Sequence, residues 1–441
     1  MPGSHDPATD LQGGLGPETG GREIQEAERV WGHALREGGM KEPALRLVVY
    51  VDASFRAVDG IEGPQIAIHP ADYAFVGVFL AEVARHFQSV SLLGRLEKTP
   101  TLDNFVPLPG TFKLVPLPHY SSLAELGAVA RATPRTTTAF SDALDLADVV
   151  WIYGPHPFGL ILAALAARRR KPVVLGIRQD TLEYFRARLP SPRWRPLLLP
   201  LRAVDAAFVF IARRTRVVVA GLDIAERFGG EGDRVLVLSD SAFSERDLAE
   251  APRLRDWSGR IDLLTVGRID AEKNPLLLVD VLAKLGSRYH LTCVGSGPME
   301  NELIQYAAEQ GVADRLKLRG WIPFGSALLD LYRGAHVFAH VSLTEGVPRV
   351  LFEALACAAP VVATDVGGVR SALDDGQAGL LVPPHDAPRF VEAIERIVED
   401  EPLRNRLVNR GLRLARERTR EVQAARVAAF IERAINSDEP P

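Results

Sequence analysis

The chain of 441 residues has little cysteine: only Cys293 and Cys357 occur, each within an apolar stretch. Two such residues provide neither a disulfide framework nor a zinc-binding cluster, and this usage fits a reducing compartment. Long apolar runs are also missing, since the longest uncharged one, 157–167, is about half of the roughly 20 residues that cross a bilayer. No basic segment followed by an apolar core opens the chain, so no secretory signal is predicted. We expect a cytoplasmic protein.

An excess of positive charge is missing as well. The net charge is −4, which excludes the global basic field that nucleic-acid binding by counterion release requires. Hydrophobic residues make up 47% and charged residues 24%, as is typical of soluble globular proteins. At roughly 100 to 200 residues per domain, we expect two or three domains.

The first residues carry two segments of different character. Residues 1–21 are rich in Gly, Pro, Thr and Asp and contain almost no large apolar side chain, which predicts a disordered tail. Apolar residues at helical spacing over 22–36 predict a short amphipathic helix.

The remaining sequence alternates strand-like and helix-like segments. Over 22–246 these segments predict an α/β domain, with strands at 45–51, 89–93 and 206–211 among others. The pattern lapses into charged, Pro and Gly residues over 247–260, which predicts a linker. It then restarts over 261–415, with strands at 261–266 and 337–341 among others. Continuous apolar strands between helices indicate parallel sheets that helices cover on both faces.

The fold class predicted is therefore α/β, with two facing, doubly wound, Rossmann-like domains. Residues 416–441 predict a carboxyl-terminal helix and tail that would pack back on the first domain. Ligands of such domains bind at the carboxyl ends of the strands, so the cleft between the domains is the expected site.

Two cations follow the first strand of the second domain. Gly267 allows a sharp exit from this strand, and Arg268 and Lys273 precede a predicted helix start at 274–275. A guanidinium, an ammonium and the positive end of a helix dipole together suit a diphosphate. In the alternative interpretation, the two cations only pair with Asp270 and Glu272 on a solvated loop.

Two carboxylates stand eight positions apart around a turn. Glu345 is followed by Gly346, Val347 and Pro348, which mark a turn into a predicted helix that carries Glu353. Because helical side chains lean toward the amino terminus, both carboxylates can point at one ligand. Glu353 lies in an apolar segment, where a buried carboxylate needs a partner, either a polar ligand or a buried protein group.

Glycines follow two further predicted strands. Gly295 and Gly297 come after one strand, and the pair 367–368 comes after another. Glycine lets the backbone approach a ligand closely. The first pair lacks the third glycine of a dinucleotide fingerprint, so an NAD site is not favoured.

These motifs, in this order and spacing, resemble the donor-binding half of retaining glycosyltransferases of family 4, which have the GT-B fold. The resemblance extends over about 261–384 and includes Glu345 and Glu353 as the E-x7-E motif and the turn at 365–368. The amino-terminal half resembles the family only diffusely. It lacks the usual Gly-Gly loop after the first strand, where a long segment through residue 73 stands instead.

The resemblance implies a role for each matching residue. Arg268 and Lys273 would hold the donor diphosphate, Glu345 the hydroxyls of the transferred sugar, and Glu353 the ribose. The nucleotide pocket would be lined by the following residues: Gly267, Gly295, Gly297, Gly346, Val347, Pro348 and, at the base, Ile322. No Asp-x-Asp occurs in the sequence, as expected if the two cations replace a metal ion. No cofactor is implied beyond the nucleotide-diphosphate sugar.

The first domain offers weaker candidates. His156 follows a predicted strand and loosely matches the family's active-site histidine, although a lone histidine is often structural. Arg178 and Asp180 follow another strand and are candidates for acceptor contacts. The basic and apolar segment 185–202 suggests either peripheral contact with the inner membrane face or, more simply, a solvated helix pair.

The sequence therefore predicts a metal-independent retaining glycosyltransferase. It would transfer a hexose-type sugar from a nucleotide-diphosphate sugar to a sugar, glycan or lipid-linked acceptor. Two alternatives remain open: a sugar-nucleotide epimerase on the same scaffold, and a non-catalytic partner subunit that binds nucleotide or glycan.

Overall fold

The computed structural model describes residues 45–60, 63–98, 105–108, 110–178, 182, 198–229, 232–238, 242–252 and 255–436. The predictions for 1–21 and 22–36, for Asp180 and for most of 185–202 lie outside the described residues.

The first domain is built on a mainly parallel sheet. Its strands and helices are β1 (Arg46–Gly60), β2 (Gly63–Ile68), α1 (Pro70–Tyr73), a π-helical turn (Ala74–Phe79), α2 (Leu80–Ala84), β3 (Ser89–Lys98), β4 (Val106–Pro107), β5 (Lys113–Pro118), α3 (Leu126–Leu146), β6 (Val149–Gly154), α4 (Pro157–Arg168), β7 (Val173–Ile177), α5 (Leu199–Ala212), β8 (Arg216–Val219), α6 (Leu222–Phe228) and β9 (Val235–Val237). Parallel pairing gives the order β5-β3-β1-β6-β7-β8-β9.

Strand β1 is longer than the predicted strand at 45–51. Its first part pairs in parallel with β6 over 47–50, and its second part pairs antiparallel with β2 over 55–60. Ala53 and Phe55 are buried between half-buried neighbours, which is the alternation of a strand with one face on the core. The segment that replaces the expected glycine loop is therefore a strand extension followed by β2.

The predicted strand at 206–211 is wrong, because these residues lie in helix α5. Phe208 and Ala212 are buried one turn apart, whereas Phe210 is 57% exposed, so the burial follows the helical period and not the alternation of a strand. A short apolar run of this kind fits either element by composition alone.

The second domain follows the doubly wound pattern throughout. Its strands and helices are β10 (Ile261–Val266), α7 (Pro275–Lys284), β11 (Tyr289–Val294), α8 (Glu300–Glu309), β12 (Leu316–Leu318), α9 (Ser326–Gly334), β13 (Val337–His340), α10 (Arg349–Ala356), β14 (Val361–Thr364), α11 (Val369–Ala372), β15 (Leu380–Val382), α12 (Ala387–Glu399) and α13 (Glu401–Arg416). All strand pairs are parallel, in the order β12-β11-β10-β13-β14-β15. The predicted fold class of two Rossmann-like α/β domains is confirmed.

The last helix, α14 (Arg420–Asn436), packs on the first domain. Val427, Phe430 and Ile431 are buried in the same hydrophobic cluster as Leu47 and Val49 of β1. None of the helices among the described residues is long and apolar enough to cross a membrane.

Candidate active site

Each sheet has a point, called the winding point here, at which the strand order along the chain reverses. In the second domain β11 and β12 lie on one side of β10 and the later strands lie on the other, so the winding point is between β10 and β13. In the first domain it is between β1 and β6. Ligands of open α/β sheets bind at the carboxyl ends of strands beside such a point. The predicted site residues must therefore be sought in the loops after these four strands.

The loop after β10 holds the two predicted cations in different ways. Arg268 lies 2.6 Å from Asp270 and 2.8 Å from Glu272, so its guanidinium is paired as the solvated-loop interpretation expects. Its side chain is 54% exposed and can exchange these partners. Lys273 instead donates from Nζ to Oε1 of Glu345 at 2.6 Å, and the same Nζ lies 3.9 Å from Oε1 of Glu272.

One carboxylate oxygen of Glu345, Oε1, is contacted by both Lys273 and His340. Besides Lys273, the buried His340 at the end of β13 lies with Nε2 at 3.0 Å from the same Oε1. Burial alone would raise the pKa of Glu345, but His340 and Lys273 outweigh it and lower the pKa to about 2. Within the described residues, Oε2 has no hydrogen-bond donor. One oxygen of an ionised carboxylate is thus available to a hydroxyl of a ligand.

The predicted glycines bring neighbouring loops into contact. A Cβ built on Gly295 would lie 1.8 Å from the carbonyl oxygen of Gly267, and one on Gly297 would lie 2.3 Å from that of Ile269. A Cβ on Gly368 would likewise lie 1.8 Å from the carbonyl oxygen of Gly346. These positions require glycine because loop packs against loop, which is a different reason from close approach to a ligand.

The other predicted donor-side residues lie around this loop. Glu353 is buried on α10, and its Oε2 accepts a hydrogen bond of 2.8 Å from the hydroxyl of Tyr332. Ile322 is partly buried against the core of the domain. Val347 faces the first domain, since a Cβ built on Gly221 would lie 3.9 Å from its Cγ2. Pro348 caps helix α10 in an extended conformation.

His156 is built into the end of strand β6 and the start of helix α4. Its Nδ1 accepts from the backbone N–H of Phe158 at 3.3 Å and lies 2.8 Å from the hydroxyl of Tyr50. A backbone N–H can only donate, so Nδ1 is unprotonated and the neutral ring carries its proton on Nε2. Burial lowers the pKa of His156, which also favours the neutral ring. The ring is thus a helix cap with one N–H directed elsewhere.

That N–H faces both Asp52, which follows the first part of β1, and the hydroxyl oxygen of Tyr120, which lies 3.3 Å from Nε2. Nε2 of His156 lies 3.4 Å from Oδ2 of Asp52, and Arg95 lies with Nε at 2.9 Å from Oδ1. The hydroxyl of Tyr120 donates to Oδ1 at 3.0 Å. A carboxylate, a guanidinium, a phenol and an imidazole therefore form one network at the winding point of the first sheet.

The candidate acceptor residue Arg178 lies at the end of β7 in the same region. Its guanidinium is 4.2 Å from the centre of the Phe75 ring. It also attracts the carboxylate of Asp72, whose pKa burial nevertheless raises. Its predicted companion Asp180 lies outside the described residues.

Sequence reasoning missed five residues of these two networks: Tyr50, Asp52, Arg95, Tyr120 and His340. Two of them carried a usable signal, because Asp52 and His340 stand at the ends of strands that the apolar pattern predicts. Arg95 and Tyr120 carried none, since β3 extends past its predicted end and β5 was not predicted.

Comparison with known proteins finds a family match in the second domain. Residues 252–413 match the family model of glycosyl transferases group 1. The alpha-D-kanosaminyltransferase of Streptomyces kanamyceticus is 30% identical over 40% of this chain and 47% of its own length. The D-inositol 3-phosphate glycosyltransferase of Frankia alni is 33% identical over 45% and 53%. The chain spans about half the length of these curated relatives.

Solved structures resemble the whole architecture. HepE of Anabaena, in complex with UDP and glucose, superposes with a TM-score of 0.60 at 18% identity over 89% of this chain and 100% of its own. The sucrose-phosphate synthase of Thermosynechococcus elongatus gives a TM-score of 0.62 at 18% identity over 89% and 100%. The second domain thus resembles the glycosyl transferases group 1, and the chain has the GT-B fold.

Proposed function

We propose that this protein is a retaining glycosyltransferase that transfers a hexose-type sugar from a nucleotide-diphosphate sugar to a hydroxyl acceptor without a metal ion. The observation that carries the proposal is the pair of Lys273 and Glu345. An ammonium and an ionised carboxylate meet at 2.6 Å at the winding point of the second sheet, and no described residue donates to Oε2 of Glu345.

The chemistry of the pair suits a glycosyl diphosphate. The sugar hydroxyls would donate to Oε2 of Glu345, and the leaving diphosphate would take up the ammonium of Lys273. A positive charge at the leaving group stabilises the negative charge that develops as the glycosidic bond breaks. The exposed guanidinium of Arg268 would exchange Asp270 and Glu272 for phosphate oxygens, to which it can bind in a bidentate manner.

Retention and metal independence follow from the same arrangement as proposals. The leaving phosphate would remain on the face from which the acceptor hydroxyl attacks and would accept its proton. Two cations then supply the charge that a divalent metal supplies in other transferases. The relatives' names support the donor class: HepE was solved with UDP and glucose, and the curated relatives are named as glycosyltransferases.

The first test is a thermal-shift screen of UDP-, GDP-, ADP- and dTDP-linked sugars. Binding to the native state raises apparent stability, so one nucleotide class should raise the melting temperature. With that donor, proton NMR of the transfer product should show the anomeric configuration of the donor, and EDTA should leave the rate unchanged.

Each proposal has its own contradicting outcome. Failure of all four classes to stabilise the protein would contradict donor binding, an inverted product would contradict retention, and loss of rate in EDTA would contradict metal independence. Conversion of the donor into its epimer without acceptor would indicate the epimerase alternative.

A further inference from the structure

The network around Asp52 lies in the first domain, whereas the residues proposed to bind the donor lie in the second. The proposed donor binding assigns no role to this network. It gathers groups that follow or extend four strands: Asp52 on β1, Arg95 on β3, Tyr120 after β5 and His156 after β6. Their contacts to Asp52 measure 2.9, 3.0 and 3.4 Å, respectively for Arg95, Tyr120 and His156. A ligand at this edge of the sheet would meet these side chains.

Asp52 is the member that solvent reaches most easily. Its side chain is 27% exposed, compared with 14% for Arg95 and 8% for His156. Arg95 is further fixed by its position 4.5 Å from the centre of the Tyr120 ring and by donation to the Tyr120 carbonyl oxygen. The more deeply buried groups thus hold a carboxylate that is itself partly exposed.

The arginines that the structure describes at this edge, Arg95 and Arg178, both face carboxylates. Arg95 contacts both oxygens of Asp52, at 2.9 and 3.3 Å, and Arg178 attracts Asp72. A phosphate dianion needs cations that can release their carboxylate partners, as the 54% exposed Arg268 can. Arg95 is only 14% exposed and contacts both oxygens of Asp52, so leaving its partner would strand a largely buried charge. Hydroxyl groups both donate and accept, so they match a surface where carboxylate, guanidinium and phenol groups alternate.

On the basis of the proposed glycosyl transfer, we infer that Asp52 anchors the acceptor through an acceptor hydroxyl and that this acceptor is an uncharged polyhydroxylated compound, a sugar or cyclitol without phosphate at the contact. Arg95 and Tyr120 are positioning residues, because they hold the Asp52 carboxylate. Asp52 also sets specificity, because its charge cancels that of Arg95 and so excludes anionic acceptors.

Inorganic phosphate is the direct probe of this charge balance. Calorimetric titration is carried out with the donor site saturated by the nucleoside diphosphate found in the screen, on wild type, Asp52→Asn and the double variant Asp52→Asn with Arg95→Gln. We expect Asp52→Asn to bind phosphate at least about tenfold more tightly than wild type, and the double variant to lose that gain. Asp145→Asn is the matched control, since Asp145 pairs with Arg169 at 3.2 Å on the same domain but is 65% exposed.

Matched acceptors give a second measurement. Glucose and myo-inositol are compared with glucose 6-phosphate and inositol 1-phosphate by release of nucleoside diphosphate above the rate in water. The neutral member of a pair should be preferred, and Asp52→Asn should raise the acceptor KM by about tenfold or more while the donor KM stays constant.

The outcomes separate the inference from the function on which it rests. Preference for the phosphorylated acceptor in wild type, or phosphate binding that Asp52→Asn does not change, would overturn the inference even in an active transferase. Absence of any nucleotide binding would overturn the function, and the phosphate titration without nucleotide would still report whether Asp52 neutralises Arg95.

Discussion

Both domains place a carboxylate, a basic side chain and a histidine at their winding points, but the carboxylate is contacted differently in each. In the second domain the carboxylate of Glu345 meets Lys273 and His340 through one oxygen only. In the first domain the carboxylate of Asp52 meets Arg95 and His156 through both oxygens. A lysine is a single mobile charge, whereas an arginine fork fixes a carboxylate in two places.

Under the proposed function, this difference corresponds to different roles of the two domains. Lys273, which contacts one oxygen of Glu345, would turn to the leaving phosphate during the reaction, whereas Arg95 would keep its contacts with both oxygens of Asp52. Charge would then be exchanged in the second domain and stay compensated in the first. The predictions below test that contrast, beginning with the largest expected effect.

Replacing Lys273 by methionine keeps the length of the side chain and removes its charge. Loss of one preorganised charge at a developing anion typically lowers kcat by about 100- to 1,000-fold, and we expect a loss of this size in sugar transfer. Lys284→Met is the control, because Lys284 is an exposed residue at the end of helix α7, which follows Lys273 in the chain. Transfer at the wild-type rate by Lys273→Met, measured as release of nucleoside diphosphate, would remove the donor-side half of the comparison.

Acid should lower the free energy of unfolding in two steps, first through His156 in the first domain and then, at lower pH, through Glu345 in the second. The pKa of Glu345 is lowered to about 2, so its stabilising ion pair is complete above its ordinary value of 4.5 and is lost as the pH falls toward 2. At about 1.4 kcal/mol per pKa unit, this contributes on the order of 3 kcal/mol to the free energy of unfolding. The pKa of His156 is lowered below 6.5 by burial, so protonation of the unfolded chain already removes stability as the pH falls below 6.5.

Two variants separate these contributions in urea unfolding followed from pH 8 to pH 3. His156→Asn keeps a capping side chain and should flatten the loss of stability that starts below pH 6.5. Glu345→Gln should flatten only the loss below pH 4.5, and Glu309→Gln on the exposed face of α8 serves as its control. If both variants change the same pH range, the two networks are not independent.

The amino-acid sequence predicts the second domain far better than the first. Strand β10 is predicted and observed at Ile261–Val266, because each strand of this domain is an apolar run bounded by turn residues. Helix α3, Leu126–Leu146, was not recognised, since it contains Pro134 and a run of threonines with low helix propensity. Packing of Phe140 and Leu144 into the core stabilises it instead.

The candidate site shows the same limit. Strand ends identify Arg268, Lys273 and Glu345, because the motif and the end of the apolar run coincide. Which cation pairs with which carboxylate depends on their positions in the folded chain. Nζ of Lys273 lies 2.6 Å from Oε1 of Glu345 but 3.9 Å from Oε1 of Glu272. The Asp52 network was missed for a related reason, since its partners come from strands whose extent local patterns do not reveal.

The contact between Gly368, in the loop after β14, and Gly346, in the loop after β13, can be tested without altering any charged group. Gly368→Ala places a Cβ where the carbonyl oxygen of Gly346 lies at 1.8 Å, although its φ of −74° is open to alanine. The loop that carries Glu345 must move, and we expect about a tenfold loss of kcat/KM, since small misplacements of positioning groups are costly. Gly334→Ala, where a Cβ meets nothing within 4 Å, should leave transfer unchanged. Equal activities of the two variants would show that loop packing does not position Glu345.

The smallest expected difference concerns two buried tyrosines, one in each domain. The Tyr50 hydroxyl lies 2.8 Å from Nδ1 of the neutral His156, and the Tyr332 hydroxyl donates at 2.8 Å to the Glu353 carboxylate. Hydrogen bonds between neutral groups contribute about 1 kcal/mol, and those to charged groups about 1.5 to 3 kcal/mol. Tyr332→Phe should therefore lower the urea midpoint of unfolding more than Tyr50→Phe does. Because the two hydroxyls are equally buried and equally distant from their acceptors, the reverse order would mean that Glu353 is not the ionised partner in this pair, which would weaken its proposed role at the ribose.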